Sequence, residues 1–222
     1  MLQPATLKFL KELEKNNNKP WFDAHRAAYE AARADFAIFI QRVIDTHAKK
    51  DPSIGHLVAK DCLFRINRDV RFSKNKAPYK NNFGASINKG GKKAVASAGY
   101  YFHLQPGASF TGGGIWMPGP EELRKIRQEV DYNFNDLKKI IGSKKFRSVY
   151  ADLSHDAAFK LVRLPKGYEA DNPAAEYLKL KSFITEIRLR DADITSKDLV
   201  KRTVMAFEAL QPLIEFINQA LE

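Results

Sequence analysis

The chain has one cysteine, Cys62, so no internal disulfide can form. That excludes a disulfide framework and fits a reducing compartment. Flanked by Leu63 and Phe64, Cys62 is expected as a small core residue. No apolar run approaches the ~20 residues that a spanning helix needs, and residues 34–40 are interrupted by Asp35. The first ten residues lack a basic stretch leading into an apolar one, so no secretory signal is expected. These absences point to a cytoplasmic protein that does not enter a membrane. There is no His-Glu-x-x-His, no paired cysteine and no Asp-rich calcium loop, so neither a protein-built metal site nor a cofactor is expected. There is no Gly-x-Ser-x-Gly elbow either, which disfavours a serine hydrolase of that kind. No repeat, low-complexity run or linker divides the chain, and residues 1–222 read as a single domain.

What is present is basic charge. The 222 residues carry a formal net charge of +11, with a hydrophobic fraction of 44%, enough for a real core. Ten of the 34 residues between 60 and 93 are Lys or Arg, opposed only by Asp61 and Asp69, which leaves a local net +8. Apolar residues alternate through this segment, unlike a solvated basic tail. The pattern therefore points to an ordered site for an anion.

Hydrophobic spacing gives the fold class. Leu7, Leu10 and Leu13 mark a first helix with Thr6 placed to cap it. Asn16, Asn17 and Asn18 close it. Pro20 opens a second, whose face Trp21, His25, Ala28, Ala32, Phe36, Phe39 and Val43 runs over about six turns and would bury His25. The period then changes. Phe64, Ile66, Arg68, Val70 and Phe72 alternate with polar residues and predict a strand, at least through Arg68. Residues 83–87, 100–105 and 109–117 predict three more, with turns at 89–92 and at Pro106-Gly107. Close spacing favours an antiparallel meander, because parallel strands need long crossovers. Helices are expected from Pro120 and over 133–141. A short strand at 159–164, a helix at 173–180 and a strand at 183–189 follow. Thr195 with Asp198 approximates a capping box before the last helix, which Pro212 should kink or divide. The reading is α+β: an antiparallel meander with N- and C-terminal helices packed on it.

Three segments carry candidate chemistry. In an extended 65–71, Arg65, Asn67, Asp69 and Arg71 share one face. Asp69 can orient the guanidiniums, whose planar forks suit phosphate or carboxylate. Arg68 interrupts the apolar side and needs a partner, either Asp61, Asp69 or a ligand. Ser73, Lys76, Tyr79 and Lys80 would complete the pocket. Gly112, Gly113 and Gly114 cost stability in a strand and require a bulge, a bend or close approach of a backbone or ligand. Trp116 would wall the same space. His103 shares its face with Tyr101 and Gln105 and is the candidate acid/base group; Asp69, as orienter of the guanidiniums, is the second candidate catalytic residue. In the third segment, Glu176 and Lys179 can pair along the helix opened by Asn172-Pro173, or Glu176 and Lys181 can add to the pocket.

The stretches Lys60 to Ile66, Arg68-Asp69, Arg71-Phe72-Ser73, Lys76 and Pro78-Tyr79-Lys80 resemble a family of uncharacterised bacterial and fungal proteins grouped as a domain of unknown function. So do Gly99-Tyr100-Tyr101, His103-Leu104, Pro106-Gly107, Gly112-Gly113-Gly114 and Trp116. Pro165-Lys166-Gly167, Pro173 to Glu176, Lys181-Ser182-Phe183 and the stretch from Asn16 to His25 are similar too. Asn172 departs from the family's motif, which often has His there. The resemblance implies one domain and supplies no activity. Two functions lead over a third, a scaffold whose basic segment mates with an acidic protein, for which no positive signal exists. One is binding, with or without turnover, of a small phosphorylated or carboxylated ligand. The other is a nucleic-acid-binding module that uses a basic, aromatic-bearing sheet face.

Overall fold

The computed structural model describes residues 1–90 and 97–222. The turn expected at 89–92 and the basic residues Lys92 and Lys93 therefore fall partly or wholly outside the described residues.

Four strands form one antiparallel sheet in chain order, β1 (Phe83–Ile87), β2 (Gly99–Leu104), β3 (Ser109–Ile115) and β4 (Phe183–Leu189). The register puts Ala85 opposite Phe102 and Phe102 opposite Thr111. Successive residues point to opposite faces. Tyr100, Phe102 and Leu104 are therefore buried on one face, and Tyr101 and His103 sit half-buried on the other. The covered face packs on two long helices, α3 (Arg26–His47) and α10 (Leu199–Gln219). Phe36 stacks on Phe83 at 5.5 Å, Phe39 meets Phe102 edge-on at 4.7 Å, and Phe207 stacks on Tyr100 at 4.6 Å. The helix α1 (Pro4–Lys15) buries Leu7, Phe9, Leu10 and Leu13 and lies against α3. Short helices α2 (Lys19–Ala24) and α4 (Ala59–Cys62) flank the N-terminal side. The remaining helices are α5 (Pro120–Tyr132), α6 (Phe134–Gly142), α7 (Lys144–Arg147), α8 (Ala175–Leu178) and α9 (Asp191–Ile194); α6 and α7 lie against α10, α8 against α5, and α9 beside α1 through Lys11 and Asp191. Cys62 is buried as expected, and no described helix is long and apolar enough to cross a membrane.

Several local expectations need correction. Residues 64–72 are not a strand. Only the isolated bridges Leu63–Ala85 and Asn67–Tyr79 form there. The ladder begins with Lys80 N–H donating to the Ile66 carbonyl and Arg68 N–H to that of Pro78. It stops because Pro78 has no N–H to return the second bond. Asp69 then accepts from the Arg71 N–H, turning the chain, and Phe72 ends 96% exposed rather than on a core face.

The long second helix is interrupted at His25. The Asn18 side chain accepts from Trp21 N–H to start α2, and α3 begins afresh at Arg26. His25 is half-buried, stacked on Trp21 at 4.0 Å. Thr6 lies inside α1 and donates to Asp35 instead of capping. Residues 159–164 supply only a bridge, Lys160–Leu180. Asp198 heads α10 without a side-chain cap, so the expected capping box is absent. Pro212 does not divide α10. Leu213, Ile214, Phe216 and Ile217 are buried beyond it, each worth about 1.5–3 kcal/mol, against ~3 kcal/mol for the proline.

His47 ends α3 fully buried, edge-on to Tyr100 at 4.7 Å, with neither ring nitrogen hydrogen-bonded. Burial lowers its pKa below the ordinary 6.5; Asp51 and Glu208 oppose this and Lys145 adds to it. The unfolded chain takes up a proton below pH 6.5 that the folded chain refuses. Stability is therefore full above pH 6.5 and falls as pH drops toward the depressed value, by up to about 1.4 kcal/mol per pH unit. Urea denaturation between pH 7 and 5 should show this slope, and His47→Phe should lose that part of it. An unchanged slope in the variant would contradict the assignment.

Candidate ligand-binding cleft

Among the described residues, the face of the sheet turned away from α3 and α10 is left open and forms a cleft of about 840 Å³. Its floor follows from the pleat. Ser86, Tyr101, His103 and Phe110 point into it, and Gly99, paired with Gly114, gives it a patch without side chains. Phe64 and Lys80 close the β1 edge. Glu186 lies on the β4 side. Trp116, Met117 and Glu122 wall the end where β3 leaves the sheet.

The three glycines are explained by backbone geometry. Gly114 has φ +118°, and a Cβ there would strike the Phe183 carbonyl. A Cβ on Gly112 would strike the Thr185 carbonyl, and one on Gly113 would press to 2.7 Å from Leu210 of α10. β3 is thus held close to both β4 and α10, the close approach of a backbone that the run required. Beyond it Met117 takes φ +43°, uncommon for a residue with a side chain. Its N–H is anchored by donating to the buried Ser182 Oγ at 2.9 Å. This turn holds Trp116 at the rim, 56% exposed, against Phe159 at 4.4 Å.

His103 is tied on both sides. Tyr101 Oη lies 3.3 Å from Nδ1, and Nε2 faces Gln105 Oε1 at 3.0 Å. Nε2 therefore carries the proton and Nδ1 accepts. Its ring stacks on Phe110 at 4.7 Å. Burial lowers the His103 pKa, partly offset by Gln105 and reinforced by Arg188. Burial also pushes the Tyr101 hydroxyl up to about 12, so it stays a donor.

Lys80 is half-buried, its Nζ 5.5 Å from the centre of the Phe64 ring. Burial lowers its pKa, and the Arg65 guanidinium adds to the effect. Among the described residues no carboxylate pairs with Lys80 or with Arg65.

The cleft thus gathers His103, Lys80, Gly113, Gly114 and Trp116. Gly112 lies in the adjoining strand segment, and the remaining sequence candidates are elsewhere. Arg68 donates to the Ala77 carbonyl and to Ser73 Oγ, stapling residues 68–77 from within. Arg71 forms a bidentate pair with Asp69, whose carboxyl it holds below the ordinary range. Lys76 donates to the Val70 carbonyl. Tyr79 is buried, stacked on Phe22 at 4.0 Å, with its backbone held by Asn17. Arg65 stands just outside the lining, beside Lys80. Glu176 bridges Lys160 and Lys179, away from the cleft. Sequence reasoning did not select Phe64, Phe110, Ser86, Glu122 or Glu186 as site residues. For Phe110 a signal existed, because a hairpin through Pro106-Gly107 sets it opposite His103.

Over residues 5–216 the chain matches the model of a family described as a conserved hypothetical protein (DUF2461), and it belongs to that family. Neither a curated protein nor a solved structure matches it.

His103 should remain neutral at pH 7 and titrate below the ordinary histidine value, with Nε2 protonated. Nitrogen-resolved NMR of the imidazole tests this, and a midpoint at or above 6.5 would contradict the geometry.

Proposed function

We propose that the open sheet face binds a small ligand carrying a phosphate or carboxylate group and a flat ring. The observation that carries this reading is the Lys80 ammonium, half-buried and without a carboxylate partner among the described residues. A desolvated cation is stabilised by an incoming anion, which supplies the counter-charge the fold leaves out. Arg65 lies close enough to lower the Lys80 pKa and reinforces the attraction.

The rest of the lining suits the ring. Tyr101 and Phe110 lie 5.7 Å apart and Trp116 is exposed at the rim, so aromatic faces border a floor bare of side chains at Gly99 and Gly114. Glu122 and Glu186 would repel an anion near them and accept hydrogen bonds from ligand hydroxyl or amino groups. Cation at the β1 edge and carboxylates beyond it give the cleft a direction. Three strand spacings separate its edges, about 14 Å, room for one nucleotide-sized molecule. The guanidiniums of Arg68 and Arg71 are engaged within their own loop, so Lys80 and Arg65 take the anion-binding role in this reading.

Calorimetric titration with thymidine monophosphate and with inorganic phosphate tests the proposal. Lys80→Ala should weaken binding of both by about tenfold or more, because a hydrogen bond to a charged group is lost. Lys80→Arg should retain part of the affinity. Affinity should decline with rising pH earlier than an ordinary lysine would dictate, since the ammonium is the binding form and burial lowers its pKa. Equal binding by wild type and Lys80→Ala would overturn the reading.

A further inference from the structure

Lys80 and Phe64 do more than edge the cleft. They bracket a segment, residues 65–79, here called the finger, that is anchored at the β1 edge by buried Ile66 and Tyr79 and is mostly exposed between 67 and 76. The finger is built rather than slack. Asn67 bridges Tyr79, Arg68 N–H donates to the Pro78 carbonyl, and the Arg68 guanidinium clamps Ala77 and Ser73. Asn75 accepts from Ala77 N–H in a local turn, and Lys76 Nζ closes on the Val70 carbonyl at 3.0 Å.

Held on this frame is Phe72, 96% exposed, with the Arg71 guanidinium 5.8 Å from its ring centre. Arg71 is paired with Asp69 and fixed beside the ring. Arg65, Lys74 and Lys76 are exposed and form no ion pair with any described carboxylate. Cations thus outnumber carboxylates from the cleft mouth along this segment, where Asp69, paired to Arg71 and also acting on Arg65, is the one acid; an aromatic ring stands among them and aromatic rings line the cleft.

We infer that the ligand of the cleft is one unit of a single-stranded nucleic acid, and that the finger grips the neighbouring units. This inference rests on the cleft reading above and names its substrate class. A strand offers a phosphate and a flat base at each step, and proteins hold it by cations along the backbone and aromatics against the bases. Phe72 is placed for a base, and Arg65, Lys74 and Lys76 for phosphates. A lipid surface fits the finger less well. Seating Phe72 in a bilayer would carry the Asp69 carboxylate, two residues away and paired to Arg71, toward the apolar layer. A base stacks on the ring and leaves that pair in water. An acidic protein would use the cations but gives no role to an exposed phenylalanine.

The test compares thymidine monophosphate with an oligothymidylate of about ten residues by fluorescence anisotropy and calorimetry. Wild type should bind the oligomer more tightly than the monomer. Phe72→Ala should weaken the oligomer by about tenfold, the scale of one stacked base, and leave the monomer unchanged. The pair Lys74→Ala and Lys76→Ala should reduce the slope of log affinity against log salt by about 1.4, two phosphates' worth for a single strand. Phe72 is exposed and the lysine ammoniums are at the surface, so these variants are expected to fold. Thermal denaturation confirms it, and Phe72→Tyr should restore oligomer binding.

Equal affinity for monomer and oligomer, with no effect of Phe72→Ala, would overturn the finger inference while leaving the cleft reading intact. Loss of both ligands in Lys80→Ala supports the two together. No binding of either ligand by wild type would overturn both. Phe72-dependent binding to vesicles rich in phosphatidylserine, without oligomer binding, would overturn the inference in favour of a membrane surface.

Discussion

Pairing to β1 on one side and β3 on the other fixes the pleat of β2, and both the core and the cleft depend on it. Tyr100 and Phe102 go down to Phe207 and Phe39, while Tyr101 and His103 go up to the open face. A slip of one residue would exchange the two sets. It would expose Tyr100, whose hydroxyl donates to Asp51 at 2.8 Å, and turn His103, with Tyr101 and Gln105, into the core and away from Phe110. The glycines of β3 serve the same constraint. They bring that strand within reach of β4 and of Leu210, which holds α10 against one face and leaves the other without side chains at Gly114.

The charge distribution has the same logic at a larger scale. Several surface cations are paired: Arg190 and Arg202 with Asp193, Lys160 and Lys179 with Glu176, Lys19 and Arg26 with Asp23. At the β1 edge Lys80 and Arg65 lie near each other, and neither is ion-paired to a described carboxylate, although Asp69 acts on Arg65 from a distance. Exposed pairs contribute little stability; in the proposed reading what matters is the net positive field at the mouth of the aromatic cleft, which would draw an anion there.

Much of this was legible in the residues. β4 and the meander were readable because alternation is strong and the turns carry Pro, Gly or both. The close approach at Gly112, Gly113 and Gly114 was readable because three glycines in a strand demand an explanation. The alternation of 64–72 misled, since Pro78 and the Asp69–Arg71 pair break the ladder locally while the hydrophobic pattern looks like that of a strand. His25 shows the same weakness. The 3.6-residue period runs through it, yet the Asn18 cap and the Trp21 stack end one helix and begin another. Of the basic cluster, the residues nearest the sheet, Lys80 and Arg65, stand by the cleft. Arg68 and Arg71 found partners within their own loop, a choice between local and distant partners that composition does not encode. Phe110 was legible only by carrying the Pro106-Gly107 hairpin through to its register, which sets it opposite His103.

The proposed function turns on Lys80 being a partly desolvated ammonium, not ion-paired to a described carboxylate, at the mouth of the candidate cleft. An NMR titration of its side chain, with and without saturating thymidine monophosphate, measures that state directly. The account predicts a pKa below the ordinary lysine value of 10.5 in the free protein, rising when the nucleotide binds. An ordinary value that does not move when the nucleotide is added would contradict it.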